Sequence, residues 1–352
     1  MTDHGMAPSG GQWAERAART ALNVHARFGH RLMGVPGTWI GAVSVPATQD
    51  PTPWSEWHYW WQAHYLDAVV DAGLRELGSG SRASAALSLA RGRALLRGIM
   101  VRNFGRFPNY FYDDMAWLAL AADRLNGLSL ALSGRPCLLA GVASSTLTAQ
   151  LGRARDGVLG GGIYWSRKRD YKNTPANGPA ALHFARTGNL DLARAISDWL
   201  RTELFDAGSG LYLDGVHPTP RGPEVERTIY TYNQGPILAT LLELDHPQYV
   251  SQAAELVAAV ERGLATAAGG LRLEPGGDGS LFTGILCRYL AVAARDLRLP
   301  EGSRTTAARL VALTAAGLAG EPDPEGASGP ALLSAAVQRW TIFEAAATLP
   351  TA

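Results

Sequence analysis

Two adjacent aspartates, Asp113 and Asp114, are the residues of this sequence whose type and spacing best suit catalysis. Cleavage of a glycosidic bond requires two carboxyl groups, one ionised and one protonated, and a separation of about 5–5.5 Å between them suits retention through a covalent intermediate. Neighbouring side chains at the start of a helix can reach that separation, and the carboxyl in the less polar setting would keep its proton. The structural alternative is a pair that caps a helix and complements its positive end.

The surroundings of the pair favour the catalytic interpretation. Aromatic residues flank it, and a similar mixture of aromatic and polar residues occurs in segments 57–64, 164–173, 230–235 and 281–284. The C–H faces of a pyranose pack on Trp and Tyr rings, and its hydroxyls need directed hydrogen-bond donors and acceptors. We therefore predict a sugar ligand. The predicted ligand contacts are Trp60, Trp61, Gln62, His64, Tyr112, Trp117, Trp165, Tyr171, Lys172, Asn173, Tyr232, Asn233, Gln234 and Phe282.

Three polar residues near these segments have structural interpretations as well. His64 lies four residues after Trp60, on the same helix face, and is as compatible with a core histidine as with a ligand contact. Lys172 either pairs with a catalytic carboxylate or is exposed to solvent. Asp67 is expected to be a solvated carboxylate, because carboxylates are rarely buried without a partner.

Helical periodicity runs through nearly the whole chain, and alternating strand-like runs are scarce. The pattern predicts twelve helices, near 12–33, 59–77, 83–100, 113–132, 136–155, 174–187, 190–205, 232–244, 248–267, 280–297, 302–318 and 330–347. Short connections follow the even-numbered helices, and mostly long connections follow the odd-numbered ones. The aromatic and polar segments lie at or just before the starts of even-numbered helices.

A short connection makes two helices antiparallel neighbours, so this alternation predicts helical hairpins whose long loops emerge on one rim. We predict an all-α protein, an (α/α)6 barrel of six helical hairpins with six inner and six outer helices. It would form a single domain over residues 1–352, with residues 1–11 as a disordered tail. An open α-solenoid is the alternative, and the chain length and the absence of sequence-similar repeats favour the barrel.

Composition excludes several classes of partner. Hydrophobic residues make up 47% of the 352 residues, which predicts a well-buried globular protein. The net charge is +1 without a basic run, which argues against nucleic acid. No apolar stretch approaches the roughly 18 residues of a membrane span. Cys137 and Cys287 are expected to be buried free thiols, and no metal-binding spacing occurs. Without a basic and apolar leader the expected location is cytoplasmic, with export by an unrecognised route as the alternative.

Taken together, the five segments resemble glycoside hydrolase family 76, the endo-α-1,6-mannanases. The matching motifs occur in the family's order over positions 59–290. The resemblance implies an (α/α)6 barrel and retaining cleavage of α-1,6-mannosidic bonds, without a metal or organic cofactor. It implies that Asp113 is the nucleophile and Asp114 the acid/base.

Two features depart from the usual family pattern. Thr283 stands where family members often have Lys, and segment 173–179 is rich in Pro and Gly. This segment and the Ala-, Arg- and Gly-rich composition resemble an actinobacterial branch, for which lipomannan or lipoarabinomannan of the cell envelope are expected substrates. Two alternatives to mannan hydrolysis are a mannan transglycosylase and a catalytically inactive glycan-binding barrel.

Overall fold

The computed structural model describes residues 10–48, 52, 55–320 and 330–350. Of the predicted tail, residues 1–9 lie outside the described residues, and Gly10 and Gly11 already belong to the first helix. The described part contains twelve α-helices: α1 (Gly10–Arg27), α2 (Tyr59–Gly78), α3 (Arg82–Arg102), α4 (Tyr112–Ser133), α5 (Leu138–Arg153), α6 (Thr174–Arg186), α7 (Leu190–Glu203), α8 (Thr231–Glu243), α9 (Pro247–Leu264), α10 (Gly279–Ala293), α11 (Glu301–Gly320) and α12 (Leu333–Ala347).

The even-numbered helices form a closed inner ring. Each packs on the next even-numbered helix, and α12 packs on α2, which closes the circle. Each odd-numbered helix packs outside on its hairpin partner, with α1 against α12. The prediction of an (α/α)6 barrel is therefore confirmed. The closure of the ring through α12 and α2 distinguishes it from an open solenoid, in which the terminal hairpins would not meet.

The difference between inner and outer helices follows from their sequences. In α6 every residue from Thr174 to Ala185 is buried, because small and apolar residues cover all of its faces. In α7 the buried residues are confined to one stripe that includes Ala193, Ile196 and Leu200, while Asp191 and Arg194 face solvent. A helix that is buried on all faces, such as α6, needs neighbours on every side, so it occupies the inner ring.

Short strands occupy several of the long loops and were not predicted. The described residues contain β1 (Gly29–His30), β2 (Ile40–Gly41), β3 (Ser44–Val45), β4 (Lys172–Asn173), β5 (Phe205–Asp206), β6 (Leu211–Tyr212), β7 (Gly215–Thr219), β8 (Gly222–Glu226) and β9 (Ala331–Leu332). The longest two, β7 and β8, form a hairpin that also pairs with β4. Pro218 lies opposite Pro223 in this hairpin, and prolines inside a run argue against a strand in sequence.

A charged cluster lies inside the inner ring, and it contradicts the expectation that Asp67 is solvated. Asp67 and Asp71 on α2 pair with Arg124 on α4 and Arg288 on α10. Burial alone would raise the pKa of Asp67, but the two guanidinium groups hold it below its usual value. Asp67 is therefore an ionised core residue that ties three inner helices together.

Two further expectations concern the apolar parts of the chain. Cys137 and Cys287 are both buried and free, as predicted. None of the helices in residues 10–48, 52, 55–320 and 330–350 is both long and apolar enough to cross a membrane.

Candidate active site

The N-terminal ends of α2, α4, α6, α8 and α10 border one open cleft. Its volume is about 1340 Å³, larger than the roughly 300–1,000 Å³ of pockets that hold a single small molecule. The lining combines aromatic rings with carboxyl groups: Trp57, Trp60, Trp117, Trp165, Tyr171, Tyr232 and Phe282 among the rings, and Asp113, Asp114, Asp214 and Asp278 among the acids. The cleft therefore has the volume for a ligand larger than a single small molecule, and its lining has the chemistry that binds sugars.

Asp113 and Asp114 lie in the first turn of α4, and different neighbours orient them. Asp113 accepts hydrogen bonds from the Asp114 backbone N–H at 2.9 Å and from Trp165 Nε1 at 3.0 Å. Asp114, which is 8% exposed, accepts a hydrogen bond from Asn109 Nδ2 at 2.5 Å. Asn109 is itself fixed, because its Oδ1 accepts from the Phe111 N–H at 3.1 Å. Both carboxyl groups are thus held in place before any ligand arrives.

The surroundings favour the protonated form of both carboxyl groups. Burial raises the pKa of Asp113, the negative charge of Asp214 adds to this, and the hydrogen bond from Trp165 opposes it. Burial also raises the pKa of Asp114, and the charges of Asp113 and Asp278 raise it further. Two carboxyl groups this close cannot ionise independently, so the pair is expected to keep one proton at pH values where a free carboxylic acid is ionised.

These raised pKa values predict how stability depends on pH. Because the folded pKa lies above the unfolded value, the folded state holds more protons, and stability falls as pH rises through the folded pKa. An Asp113→Asn/Asp114→Asn variant should escape this loss. At pH 8 we expect its free energy of unfolding to exceed that of wild type by about 1.4 kcal/mol for each unit by which folding raises a pKa, so it should unfold at a higher temperature. The difference should shrink at pH 4. Thermal unfolding at both pH values measures this, and an equal gap at pH 4 and pH 8 would contradict it.

Aromatic rings form two clusters in the lining of the cleft. In the first, Tyr232 and Phe282 stack with centroids 3.7 Å apart and planes at 6°, and Trp60 packs against both at 6.4 and 6.1 Å. In the second, Trp165 packs against Phe111 at 5.0 Å and Tyr171 at 6.3 Å. A pyranose bound in the cleft would find rings for its C–H faces and carboxyl groups for its hydroxyls.

The structure brings together only some of the predicted ligand contacts. Those that line the cleft are Trp60, Trp117, Trp165, Tyr171, Asn173, Tyr232 and Phe282. Those that lie behind its surface, all buried, are Trp61, Gln62, His64, Tyr112, Lys172, Asn233 and Gln234. The second group supports the cleft from below, and its members contact backbone or other side chains.

Gln62 and Gln234 show this supporting role. The Gln62 amide exchanges hydrogen bonds with the backbone of Gly41, at 2.8 and 2.9 Å. The Gln234 amide does the same with Tyr212, at 2.9 Å in both directions. Each is the fourth residue of its inner helix. Its side chain therefore holds a loop beside the cleft against that helix, through the same pair of N–H and C=O hydrogen bonds that a neighbouring strand would make.

Lys172 does not pair with a catalytic carboxylate and is not exposed to solvent. Both interpretations that the sequence suggested for it are therefore wrong. Its side chain is fully buried, and Nζ donates to Asp156 Oδ1 at 2.8 Å, Val158 O at 2.7 Å and Gly161 O at 2.5 Å. Lys172 therefore holds together the loop that leads to Trp165, because its three acceptors come from three different positions of that loop.

His64 is a core residue beneath the cleft. Its ring packs against Trp60 at 5.4 Å and Trp117 at 4.7 Å, and burial followed by the charge of Arg288 lowers its pKa to about 3. The imidazole is neutral at neutral pH, so it supports two cleft tryptophans by packing.

Several residues of the cleft were not predicted as site residues: Asn109, Asp214 and Asp278. Asp214 accepts hydrogen bonds from Tyr171 at 2.8 Å and from Asn233 at 3.0 Å. Asn109 and Asp278 each stand within a few residues of a predicted segment, so proximity to a motif was the available signal. No group of three or more His, Cys, Asp or Glu side chains suited to a metal ion occurs in the part of the chain that the structure describes.

Comparison with known proteins gives a family match and several similar structures. The model of glycosyl hydrolase family 76 matches residues 15–323. An inactive variant of the α-1,6-mannanase GH76A of Salegentibacter sp. HEL1_6, with two consecutive aspartates replaced by asparagine and α-1,6-mannotriose bound, is 27% identical with a TM-score of 0.82. The match covers 95% of this chain and 99% of that one. No curated protein matches the chain in sequence.

Two further structures extend the similarity. The Lin0763 protein from Listeria innocua is 25% identical with a TM-score of 0.79, over 95% of this chain and 97% of that one. The family 76 mannosidase Bt3792 from Bacteroides thetaiotaomicron VPI-5482 is 15% identical with a TM-score of 0.74, over 96% and 98%. At that identity the second likeness concerns the fold alone.

Proposed function

The chain belongs to glycosyl hydrolase family 76 and is a glycoside hydrolase, and from this premise we propose that it cleaves the α-1,6-linked backbone of mannan internally, with retention of configuration. The observation that carries the proposal is the position of Asp113 and Asp114, consecutive residues at the start of α4 on the floor of an aromatic cleft. The similar mannanase from Salegentibacter is inactive when two consecutive aspartates are replaced, and it binds α-1,6-mannotriose.

In the proposed first step Asp113 attacks the anomeric carbon. The glycosidic C–O bond breaks, Asp114 gives its proton to the departing oxygen, and a covalent glycosyl ester forms on Asp113. The hydrogen bond from Trp165 favours the ionised form of Asp113, which suits a nucleophile. The charge of Asp113 favours the protonated form of Asp114, which suits an acid.

In the second step water attacks the anomeric carbon of the glycosyl ester. Asp114, now a carboxylate, takes the proton of that water, and the C–O bond to Asp113 breaks, which restores both groups. Asn109 keeps Asp114 in one position through both steps, because its Nδ2 donates to the same carboxyl group.

Internal cleavage is supported by the shape of the cleft. From Asp113 the lining continues by one series of contacts through Trp165 to Tyr171 and Asp214, and from Asp114 it continues through the nearby Tyr59 to Trp57. A chain bound across the pair would occupy both directions, so the bond that breaks lies within the polymer. The proposal extends to the α-1,6-mannan backbone of lipomannan or lipoarabinomannan, since an open cleft leaves room for substituents on the bound chain.

Incubation with linear α-1,6-mannan tests the proposal. Wild type should release short α-1,6-mannooligosaccharides, and proton NMR of the first product should show the α-anomer before mutarotation. The Asp113→Asn/Asp114→Asn variant is the control and should release none. Products longer than the substrate would indicate transglycosylation, and binding of mannan without turnover by wild type would indicate a glycan-binding barrel; either result would contradict hydrolysis.

A further inference from the structure

Asp278 is the cleft carboxylate whose hydrogen bonds connect two inner helices that are not neighbours. We propose that Asp278 is a positioning residue of this site, which fixes the orientation of Trp60 against the sugar and supplies a negative charge beside Asp114. The inference rests on the proposed function, because it assigns a role to Asp278 in the same reaction.

An aspartate at the position of Asp278 usually caps the helix that follows it. It is the residue before α10, where an aspartate usually accepts a hydrogen bond from the first turn of its own helix, a contact worth about 1 kcal/mol. The Asp278 side chain makes no such bond. Its Oδ1 instead accepts from Trp60 Nε1 at 3.1 Å and from Trp61 Nε1 at 2.7 Å. The carboxylate is thus directed to the two indoles.

The two indoles belong to α2, and α12 lies between α2 and α10 in the ring. Asp278 therefore joins two rim segments across a third helix. Trp61 is buried and stacks on His58 with centroids 3.9 Å apart, so it gives the carboxylate a fixed anchor. A Cβ at Gly277 would lie 3.3 Å from the Trp61 ring, so glycine there permits the close approach of the α10 backbone.

The consequence concerns Trp60, which lines the cleft. Its ring packs against Tyr232 and Phe282, and the hydrogen bond to Asp278 fixes the direction of its N–H and with it the plane of the indole. Stacking on a pyranose depends on that plane. Losing the bond should therefore weaken substrate binding more than it slows the chemical steps.

Asp278 also contributes charge. The groups that face Asp114 are Asp113 on the same helix, Asn109 from the preceding loop, Tyr59 on α2 and Asp278 before α10. Tyr59 donates its hydroxyl to Phe107 O at 2.7 Å and stays neutral, because burial raises its pKa. Burial is the main cause of the raised pKa of Asp114, and the charges of Asp113 and Asp278 add to it.

Two substitutions separate the roles. Asp278→Asn keeps an oxygen acceptor for the indoles and removes the charge, so KM on α-1,6-mannan should change little while the alkaline limb of the kcat/KM profile moves to lower pH. Asp278→Ala removes both, and KM should rise about tenfold or more, as expected for a lost hydrogen bond to a charged group. Asp191→Asn, at the exposed start of α7, is the matched control and should leave both quantities unchanged.

A second measurement does not depend on activity. The indole N–H signals of Trp60 and Trp61, assigned with Trp60→Phe and Trp61→Phe variants, should both move in Asp278→Ala and remain close to wild type in Asp278→Asn. If wild type fails to cleave mannan while these signals move as expected, the proposed function is wrong and the positioning contact stands. Unmoved indole signals and an unchanged KM in Asp278→Ala, or an unmoved alkaline limb in Asp278→Asn, would overturn the inference.

Discussion

An Asp114→Asn variant should lose about 10²–10⁴-fold in kcat/KM on α-1,6-mannan, the usual contribution of a general acid. The loss should nearly disappear for the first step on an aryl α-mannoside whose leaving group needs no proton. Turnover would then stall at the glycosyl ester, because water lacks its general base. Added azide should restore turnover and give the α-mannosyl azide, since azide needs no deprotonation. Stopped-flow release of the aryl group and NMR of the azide product measure both effects.

Asp113→Asn should behave differently on the same substrates. Without a nucleophile the covalent intermediate cannot form, so activity should be lost on mannan and on the aryl mannoside alike. Azide should give only the inverted β-mannosyl azide, by direct attack on the anomeric carbon from the face opposite the leaving group. The reverse pattern, with an aryl burst in Asp113→Asn and none in Asp114→Asn, would exchange the two roles. Thermal unfolding of both variants controls for folding, and neither should be less stable than wild type at pH 8.

The second large effect concerns stability. Arg288→Met should lower the free energy of unfolding by about 3–5 kcal/mol, the usual cost of removing one partner from a buried ion pair. Arg288 contacts both Asp67 and Asp71, with Nη1 3.0 Å from Asp67 Oδ2 and Nη2 2.6 Å from Asp71 Oδ2. The variant would leave Asp67, which is buried, and Asp71, which is partly buried, to share Arg124. Urea denaturation at pH 7 measures the change.

The control for this prediction is a pair at the surface. Arg194→Met removes the partner of Asp191, a salt bridge of 3.0 Å on an exposed helix face, and should cost less than about 1 kcal/mol. Equal losses of unfolding free energy in Arg194→Met and Arg288→Met would show that the core cluster contributes no more to stability than a surface ion pair. Because the cluster lies beneath His64 and not in the cleft, kcat of the folded Arg288→Met protein should change far less than its stability.

The helices and their order follow from local sequence patterns. Periodicity is a local property, and a short connection forces the following helix to return alongside the preceding one, so twelve helices with alternating connections define the hairpins. The position of Asp113 and Asp114 at a helix start is equally local, and so is the aromatic character of the other segments. Because the starts of inner helices meet on one rim, these local features were enough to predict one cleft.

Which polar side chains face that cleft depends on contacts between elements that are far apart in the sequence. Asp67 is buried because Arg124 and Arg288, far away in sequence, neutralise it, and Lys172 is buried because the loop from Asp156 to Gly161 supplies its acceptors. The two-way hydrogen bonds of Gln62 and Gln234 and the link from Asp278 to two tryptophans depend in the same way on partners from other elements. A polar side chain can be buried only where another element supplies its hydrogen-bond or charge partner. The closure of the helix ring decides which elements come into contact, and so which partners are available.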